Sequence, residues 1–486
     1  MTLTHILVFS ITALLAGWLI PRRWRMGFLL VTSLITVYWL QPSTPIRNLD
    51  FWLPSASIFI TIFVWAITQQ PATNKGYTTW IMGVVVCSVV LSVGLTRYVE
   101  PICCLIPSRP PAFIYILLAA GLAAIVLAFI YHILPRKRSL SYAAIGIILV
   151  LFIILKTEPF SKSVSAWLRA TTGQPIDLAG ALDVPWLGFS YLAFRLLHVL
   201  RDYQSGKLPS FSLGEFINYA IFFPTFTAGP IDRSQRFIGD LRKSSEIERE
   251  SNRTKTSAEN TITGVQRIVV GVFKKFALAD SLAVIALDPQ NAAQTTSSFW
   301  MWILLIGYGL RIYFDFAGYT DIAIGLGKVM GFKLPENFDR PYLKQNLTAF
   351  WNSWHITLAQ WFRAYYFNPL TRNLRTHTQR LPTWAIILIG QLTTMMLIGL
   401  WHGVTWNFLI WGSWHGLGLF LHNRWTNWIR PRIINPEKHC LLSRITALSS
   451  WLLTFLFITL GWVWFALPSP ELAWNVFTKL AGLKAP

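Results

Sequence analysis

Long apolar segments separated by short polar loops make up most of the chain. An α-helix needs about 20 apolar residues to cross the hydrocarbon core of a bilayer, and most of the segments approach this length. The pattern therefore predicts an all-α polytopic membrane protein with about 11–12 transmembrane helices. The predicted spans are Thr4–Ile20, Gly27–Leu40, Phe51–Ile67, Thr79–Leu95, Phe113–Leu134, Ser139–Leu155, Val184–Leu200, Thr263–Leu287, Phe299–Leu326, Trp384–Leu400, Thr405–Leu421 and Trp451–Leu467.

The basic loops predict the orientation of these spans. Two basic groups, Arg22–Arg25 and Arg136–Arg138, each follow an apolar segment. Because loops rich in Lys and Arg stay on the cytoplasmic side, we expect a multi-pass protein of the plasma (inner) membrane with its N-terminus outside. The first segment is not expected to be a secretory signal, since its arginines follow the apolar run instead of preceding it.

Two further segments, Phe211–Ile231 and Leu343–Leu370, carry basic residues at both ends. Both ends of each segment would then lie on the cytoplasmic side. We therefore predict that these segments are re-entrant or interfacial and do not cross the membrane. Non-helical backbone at membrane depth occurs where it is buried in protein or lines a wet cavity.

Composition supports a membrane protein and excludes other classes. Hydrophobic residues make up 53% of the chain and charged residues only 13%, against about 25% charged in soluble domains. The net charge of +21 comes from short loops, so we expect a lipid bilayer and no nucleic acid as partner. The cysteines form no CxxC pair and predict neither a metal site nor a disulfide framework; they are Cys87, Cys103, Cys104 and Cys440.

The polar stretch 240–260 is rich in Ser, Glu, Lys, Arg and Asn, which predicts a cytoplasmic linker or short helix. We divide the chain into N-terminal transmembrane helices (1–183), a central part (184–421) that includes this linker, and a C-terminal loop, last transmembrane helix and short tail (422–486). No convincing internal repeat is found.

His402, in Gly399-Leu400-Trp401-His402-Gly403, lies between two apolar runs. An ionisable side chain inside a membrane is costly and by default marks a functional site. Because desolvation disfavours the imidazolium, we expect a neutral ring that can act as a general base toward a hydroxyl. The two glycines would leave space beside it for a substrate. A histidine that merely bonds a neighbouring helix is the equally weighted alternative.

Three other positions are weighed in the same way. His355 follows a helical face of tryptophans, and we slightly favour a place in a polar cavity over a purely interfacial one. His415 repeats the Trp-His-Gly triplet, but its spacing from His402 makes a joint metal site improbable, and a structural role is favoured. Asp315 stands four residues after Arg311, so an ion pair on one helix face is expected.

No Ser/His/Asp elbow, Walker loop or HExxH motif is present. The residues alone thus predict a polytopic membrane protein with a buried histidine site, and both a transporter and a membrane enzyme remain open.

Specific sequence blocks occur between about 184 and 421, above all a WxxWHxTLxxWxR pattern and a final GLWHG block. These blocks resemble the membrane-bound O-acyltransferase superfamily. Within the superfamily, FFPTFTAGPIDR resembles the D-alanyl transferase of teichoic acids, whereas the block from Tyr313 to Tyr342 resembles the membrane subunit of alginate O-acetylation. The blocks are Leu187–Gly206, Phe222–Phe237, Tyr313–Tyr342, Phe350–Leu370 and Gly399–Gly418.

The resemblance implies a ring-like helical bundle with a central tunnel and a catalytic core over 184–421. It also implies that His402 is the catalytic histidine and that His355 is the second prominent histidine. One departure is Ala364, which follows Arg363 where family members commonly carry an acidic residue.

The function expected from the resemblance is transfer of an acyl group, with acetyl preferred and D-alanyl as alternative, across the membrane. The donor would be a cytoplasmic thioester, acetyl-CoA or an acyl carrier protein, used as substrate with no bound cofactor. The acceptor would be a hydroxyl on an extracytoplasmic polysaccharide or on a partner acyltransferase. A lipid or acyl transporter and a non-catalytic membrane subunit are the rival hypotheses.

Substrate-binding candidates, including donors toward an oxyanion, are expected beside the two histidines. They are Asn352, Trp401, Asn407 and Asp315, with His355 as a further donor. Basic residues could attract an acidic carrier or coenzyme A, although the ordinary positive-inside bias also explains them. They are Arg233, Arg236, Lys328, Lys333, Arg340 and Lys344.

Overall fold

The computed structural model describes residues 2–69, 76–99, 105–133, 138–245, 250–377, 381–429 and 440–483. Within these ranges all regular structure is helical, and the only strand-like feature is an isolated antiparallel bridge between Phe338 and Trp354. The predicted all-α class is therefore confirmed.

The α-helices are numbered in chain order, and several continue into short π-helical or 3₁₀ segments. They are α1 (Leu3–Leu14), α2 (Arg22–Trp39), α3 (Leu49–Thr68), α4 (Gly76–Leu95), α5 (Phe113–Ile133), α6 (Arg138–Lys156), α7 (Glu158–Thr171), α8 (Phe189–Gln204), α9 (Leu213–Ala220), α10 (Ser234–Ser245), α11 (Glu250–Val272), α12 (Asp280–Ala283), α13 (Pro289–Gln294), α14 (Ser298–Val329), α15 (Leu347–Trp351), α16 (Ile356–Phe362), α17 (Asn368–His377), α18 (Thr383–His402), α19 (Trp406–Arg424), α20 (Cys440–Ala466) and α21 (Pro470–Leu480).

Seven helices of the described ranges are long and apolar enough to cross a membrane. Among the remaining predicted spans, those on α1 and α8 fall on shorter helices, whereas those on α2, α11 and α19 fall on helices of 18, 23 and 19 residues. The polar stretch 240–260 contains the end of α10 and the start of α11, while 246–249 lie outside the described residues. The candidate spans are Leu49–Thr68, Thr79–Tyr98, Phe113–Tyr131, Arg138–Lys156, Ser298–Val329, Thr383–His402 and Arg444–Ala466.

The chain forms two compact units. The first comprises Met1–Val269 and Asp321–Pro335, and the second comprises Val270–Thr320 and Glu336–Pro486. Two of the three divisions fall inside α11 and α14, and the third, between Pro335 and Glu336, falls in the loop after α14.

In the first unit, the segment predicted to be re-entrant contains α9, which is buried along its whole length. An eight-residue helix rises only about 12 Å, less than half the hydrocarbon thickness of about 30 Å. Ser212 and Glu215 cap it reciprocally, and Arg242 Nε donates to Glu215 Oε1 at 2.6 Å. Burial would raise the pKa of Glu215, but hydrogen bonds from Arg242 and the Ser212 N–H lower it below its ordinary value.

The chain after α9 is fixed by a buried arginine of α8. Arg195 is 1% exposed and donates to the carbonyl oxygens of Ala220 (2.8 Å) and Thr225 (2.7 Å). The two carbonyls lie at the ends of short helical segments, where buried backbone oxygens need hydrogen-bond donors. The charged guanidinium supplies strong hydrogen bonds to both. The segment is thus held as buried irregular backbone, as expected of a re-entrant element.

In the second unit, α18 and α19 form a close helical hairpin around two glycines. A Cβ on Gly399 would lie 2.1 Å from the Phe408 carbonyl oxygen, and a Cβ on Gly412 would lie 2.4 Å from the Met395 carbonyl oxygen. The hairpin therefore needs small residues where the two backbones meet.

We expect Gly399→Ala to destabilise the folded protein by about 1–3 kcal/mol, because the added methyl overpacks against backbone that cannot rotate away. The midpoint of thermal unfolding in detergent measures this. The matched control is Gly121→Ala in α5, where an added Cβ meets nothing within 4 Å. Equal midpoints for the two variants would contradict the close approach.

The other segment predicted to be re-entrant, Leu343–Leu370, is built from short helices. It contains α15, with five residues, and α16, with seven, neither long enough to cross a bilayer. The chain between these helices pairs with residues 337–339: Ile356 N donates to the Asn337 carbonyl oxygen and Asp339 N donates to the Ser353 carbonyl oxygen, both at 3.0 Å. This pairing positions His355.

Candidate active site

A cavity of about 40 Å³ lies within the second unit. A space of about 10–15 Å³ holds one water molecule, so this cavity can hold a group of a few heavy atoms. Its wall is aromatic and aliphatic except for two histidines. The lining residues are Ile312, Phe316, Trp351, Trp354, His355, Leu358, Ile398, His402, Trp411, Trp462 and Phe465.

His402 is the last residue of α18, just before the turn into α19. Its ring is surrounded by aromatic rings, with centroid distances of 4.7 Å to Phe465 and 5.8 Å to both Phe408 and Trp411. Such a shell of rings fixes the plane of the imidazole. The expectation of open space beside the two flanking glycines is wrong, because a Cβ on Gly399 would meet the backbone of Phe408 and one on Gly403 would meet its ring.

His355 is 3% exposed and has a left-handed backbone, with φ +43° and ψ +53°. A residue other than glycine pays roughly 1–2 kcal/mol for this conformation, which persists only where the surroundings over-determine it. Its ring packs edge-on against Phe316, with centroids 4.7 Å apart, and lies 6.1 Å from Trp401. The strained turn therefore places the imidazole in the cavity wall.

Three polar groups in the cavity wall have no hydrogen-bond partner within the described residues. They are the His355 Nε2 atom and the indole N–H groups of Trp351 and Trp411. Buried polar groups of native proteins nearly always have a partner. These three groups of the wall side chains are therefore candidates to pair with a bound group.

Two of the predicted asparagines do not line the cavity. Asn352 is exposed, and its Oδ1 accepts a hydrogen bond from Arg363 Nη2 at 2.7 Å. Asn407 is buried, and its Nδ2 donates to the Leu467 carbonyl oxygen at 2.7 Å. Each side-chain amide is therefore engaged elsewhere in the second unit.

The other two predicted residues also lie outside the cavity wall. Asp315 forms an ion pair with Lys275, which replaces the expected pair with Arg311, and its side chain is about half exposed. Trp401 contacts the rings of both His355 and His402, at centroid distances of 6.1 and 4.5 Å. It therefore packs beside the histidines without lining the cavity.

His415 is a neighbour of the cavity. Its ring lies 4.9 Å from that of Trp411 and 5.2 Å from that of Trp351, as expected of a packed structural position. Within the described ranges, no three His, Cys, Asp or Glu side chains are grouped to hold a metal ion.

Sequence reasoning missed Asn337, which is fully buried and contacts His355. The available signal was an asparagine in Leu334-Pro335-Glu336-Asn337-Phe338, just before the tryptophan-rich block. Asn337 and His355 are 18 residues apart and do not share a helix, so helical periodicity gives no sign of their contact.

With this geometry in place, comparison with known proteins identifies the family. The profile of the membrane-bound O-acyltransferase family, MBOAT, matches residues 138–463, which is more than half of the chain and includes both cavity histidines. The chain belongs to this family and is an integral membrane protein.

Individual relatives carry different polymer specificities in their names. The chain is 34% identical over 295 residues to the probable alginate O-acetylase AlgI of Pseudomonas aeruginosa, covering 60% of this chain and 51% of the relative. It is 33% identical over 257 residues to the teichoic acid D-alanyltransferase of Streptococcus thermophilus (52% and 60% coverage) and 34% identical over 277 residues to the peptidoglycan O-acetyltransferase of Helicobacter pylori (56% and 48%). The chain thus spans about half to three fifths of these relatives.

Proposed function

We propose that this protein is a membrane-bound O-acyltransferase that moves a small acyl group from a cytoplasmic thioester to a hydroxyl outside the membrane. The observation that carries the proposal is a cavity with two imidazoles and two unpartnered indole N–H groups. Proton transfer and stabilisation of an oxyanion are the two needs of acyl transfer, and this wall can meet both.

In the proposed reaction, His402 takes the proton of the acceptor hydroxyl while the hydroxyl oxygen attacks the thioester carbonyl. The new C–O bond forms, the C–S bond breaks, and the proton ends on the departing sulfur. The indole N–H groups of Trp351 and Trp411 donate to the carbonyl oxygen as it gains negative charge. Ester and thiol are the products, so no cofactor is consumed.

The size and chemistry of the cavity favour acetyl. A volume of about 40 Å³ fits a group of few heavy atoms, which favours a short acyl group over a long acyl chain. None of the described residues that line the cavity carries a carboxylate, so the ammonium of a D-alanyl group would lose its hydration there without gaining an ion-pair partner among them. D-alanyl transfer, suggested by one class of relatives, is the second candidate.

The proposed sidedness follows from charge. The N-terminus lies outside, in the plasma (inner) membrane, and the donor, acetyl-CoA or an acyl carrier protein, approaches from the cytoplasm. Names of the relatives contain alginate, peptidoglycan and teichoic acid, which supports a cell-envelope polysaccharide as acceptor, reached directly or through a partner acyltransferase.

Donor competition tests this function. We expect purified protein in proteoliposomes to form a base-labile ester from labelled acetyl donor, and an excess of unlabelled acetyl donor to suppress the label far more than palmitoyl or D-alanyl donor. Preference for D-alanyl donor would favour the second candidate. Passage of intact donor or free acetate without ester formation would indicate a transporter.

A further inference from the structure

The side chains of Asn337, His355 and Thr357 form a buried hydrogen-bonded group next to the cavity. Asn337 is 0% exposed, and its Oδ1 lies 3.1 Å from His355 Nδ1. The same oxygen accepts from the Thr357 backbone N–H at 3.2 Å and from the Thr357 hydroxyl at 2.9 Å.

These contacts fix the orientation of the Asn337 amide. A backbone N–H can only donate, so the atom that faces Thr357 N must be the amide oxygen. The NH₂ group would place two donors against each other there. This orientation determines the tautomer of His355. The amide oxygen can only accept, so His355 Nδ1 must carry the hydrogen and donate it. In the neutral ring, Nε2 then carries the lone pair.

The backbone secures the same arrangement. Ile356 N donates to the Asn337 carbonyl oxygen at 3.0 Å. Asn337 therefore contacts the His355 ring through its side chain and the next residue, Ile356, through its backbone. The left-handed conformation at His355 directs the ring against Phe316 in the cavity wall. Nε2, the atom left with the lone pair, has no protein partner within the described residues.

We propose that Asn337 is a positioning residue that holds His355 as the Nδ1–H tautomer, so that Nε2 accepts a proton during acyl transfer. This inference rests on the proposed function. His402 removes the hydroxyl proton, Nε2 of His355 receives it and then gives it to the departing sulfur, so neither histidine changes its protonation over a cycle. In this tautomer, Nε2 of neutral His355 cannot donate to an oxyanion. The proposed role as proton acceptor therefore differs from the role as oxyanion donor that was expected from sequence.

Several charged groups on segments near His355 are paired with other partners. The other titratable side chain of the cavity wall is His402. On neighbouring segments, Asp315 pairs with Lys275, Asp339 accepts from Lys344 at 2.7 Å, and Arg363 donates to Asn352. The Lys344 hydrogen bond lowers the pKa of Asp339 below its ordinary value, so this carboxylate stays charged and paired near neutral pH.

Asn337→Asp provides the sharpest test. The carboxylate still accepts from Nδ1–H, so the tautomer is kept, but its negative charge stabilises the imidazolium. Because a protonated Nε2 cannot accept, the acid limb of the pH–rate profile should move upward by about one pH unit or more, with the rate recovering at higher pH. In Asn337→Leu, the ring loses its fixed tautomer, and kcat should fall at least about tenfold at every pH with little change in KM.

The matched control is Asn346→Asp. Asn346 also accepts from a backbone N–H, that of Ala349 at 2.8 Å, but does not line the cavity. Its pH profile should equal that of the wild type. Suppose that the wild type transfers acetyl and His402→Ala does not. An unchanged pH profile for Asn337→Asp would then overturn the inference while the proposed function stands. Absence of transfer by the wild type would overturn both.

The tautomer can also be measured without activity. In protein with ¹³C-labelled histidine, the Cδ2 shift distinguishes Nδ1–H from Nε2–H imidazole, and loss of one signal in His355→Gln assigns it. We expect the Nδ1–H shift in the wild type. An Nε2–H shift would refute the inference, even where Asn337→Asp fails to fold.

Discussion

His402→Ala will lower the rate of acyl transfer by about 10²–10⁴-fold, the range supplied by a general base, and leave the protein folded and in the membrane. The ring lies at the end of α18 and lines the cavity, so its removal takes away the group that we propose as acceptor of the hydroxyl proton. The initial rate of ester formation from labelled acetyl donor, with equal amounts of purified protein, gives the ratio.

The control for this substitution is His422→Ala. His422 lies on α19, where its Nδ1 is 3.0 Å from Thr348 Oγ1, and it is not part of the cavity wall. We expect His422→Ala to retain the wild-type rate within a few-fold. A His402→Ala protein that transfers acetyl as fast as the His422→Ala protein would remove His402 from the mechanism.

The double variant Trp351→Phe/Trp411→Phe will lower kcat by about 10²–10³-fold, because removal of an oxyanion donor typically costs this much. Phenylalanine keeps an aromatic ring in the wall but has no N–H. Since the donors act on the developing oxyanion, the effect should fall on kcat and leave KM for the acyl donor nearly unchanged.

Trp462→Phe is the matched control, because it makes the same change in the same cavity wall. The indole of Trp462 already donates to Tyr342 Oη at 3.0 Å and has no hydrogen left for substrate. We expect a much smaller effect on kcat. If the double variant and Trp462→Phe had the same kcat, the two indoles would not be oxyanion donors.

The fold class was predictable because hydrophobic length is a direct consequence of bilayer thickness. Charge also predicted that Phe211–Ile231 does not cross the membrane, and the structure agrees with this in that α9 is too short to cross and the following turn is held by Arg195. Helix bounds were less predictable than helix lengths. The first predicted span, Thr4–Ile20, matches the continuous helix Leu3–Leu19, whereas α8 runs from Phe189 to Gln204 and is displaced from the predicted Val184–Leu200.

The candidate site was predictable for the histidines and not for their surroundings. His355 and His402 carry a costly polar group in apolar sequence, which marks them, and the structure places both in one cavity wall. Asn352, Asn407 and Asp315 carry the same kind of signal, but Arg363, the Leu467 carbonyl and Lys275 engage them elsewhere. Those partners are distant in sequence or belong to the backbone, so no spacing rule reveals them.

Asn337 is a residue of the site that the sequence did not indicate. A buried asparagine looks unremarkable in sequence, and its role depends on which of its two amide atoms faces Thr357. Only hydrogen-bond geometry can decide that orientation.

The most direct test of the central claim uses proteoliposomes with labelled acetyl donor on the side of the basic loops and a polysaccharide acceptor on the other. We predict label in a covalent ester on the acceptor with wild-type protein and at least about 100-fold less with His402→Ala. Equal esterification by the two proteins, or label that crosses only as unreacted donor or free acetate, would contradict acyl transfer at this cavity.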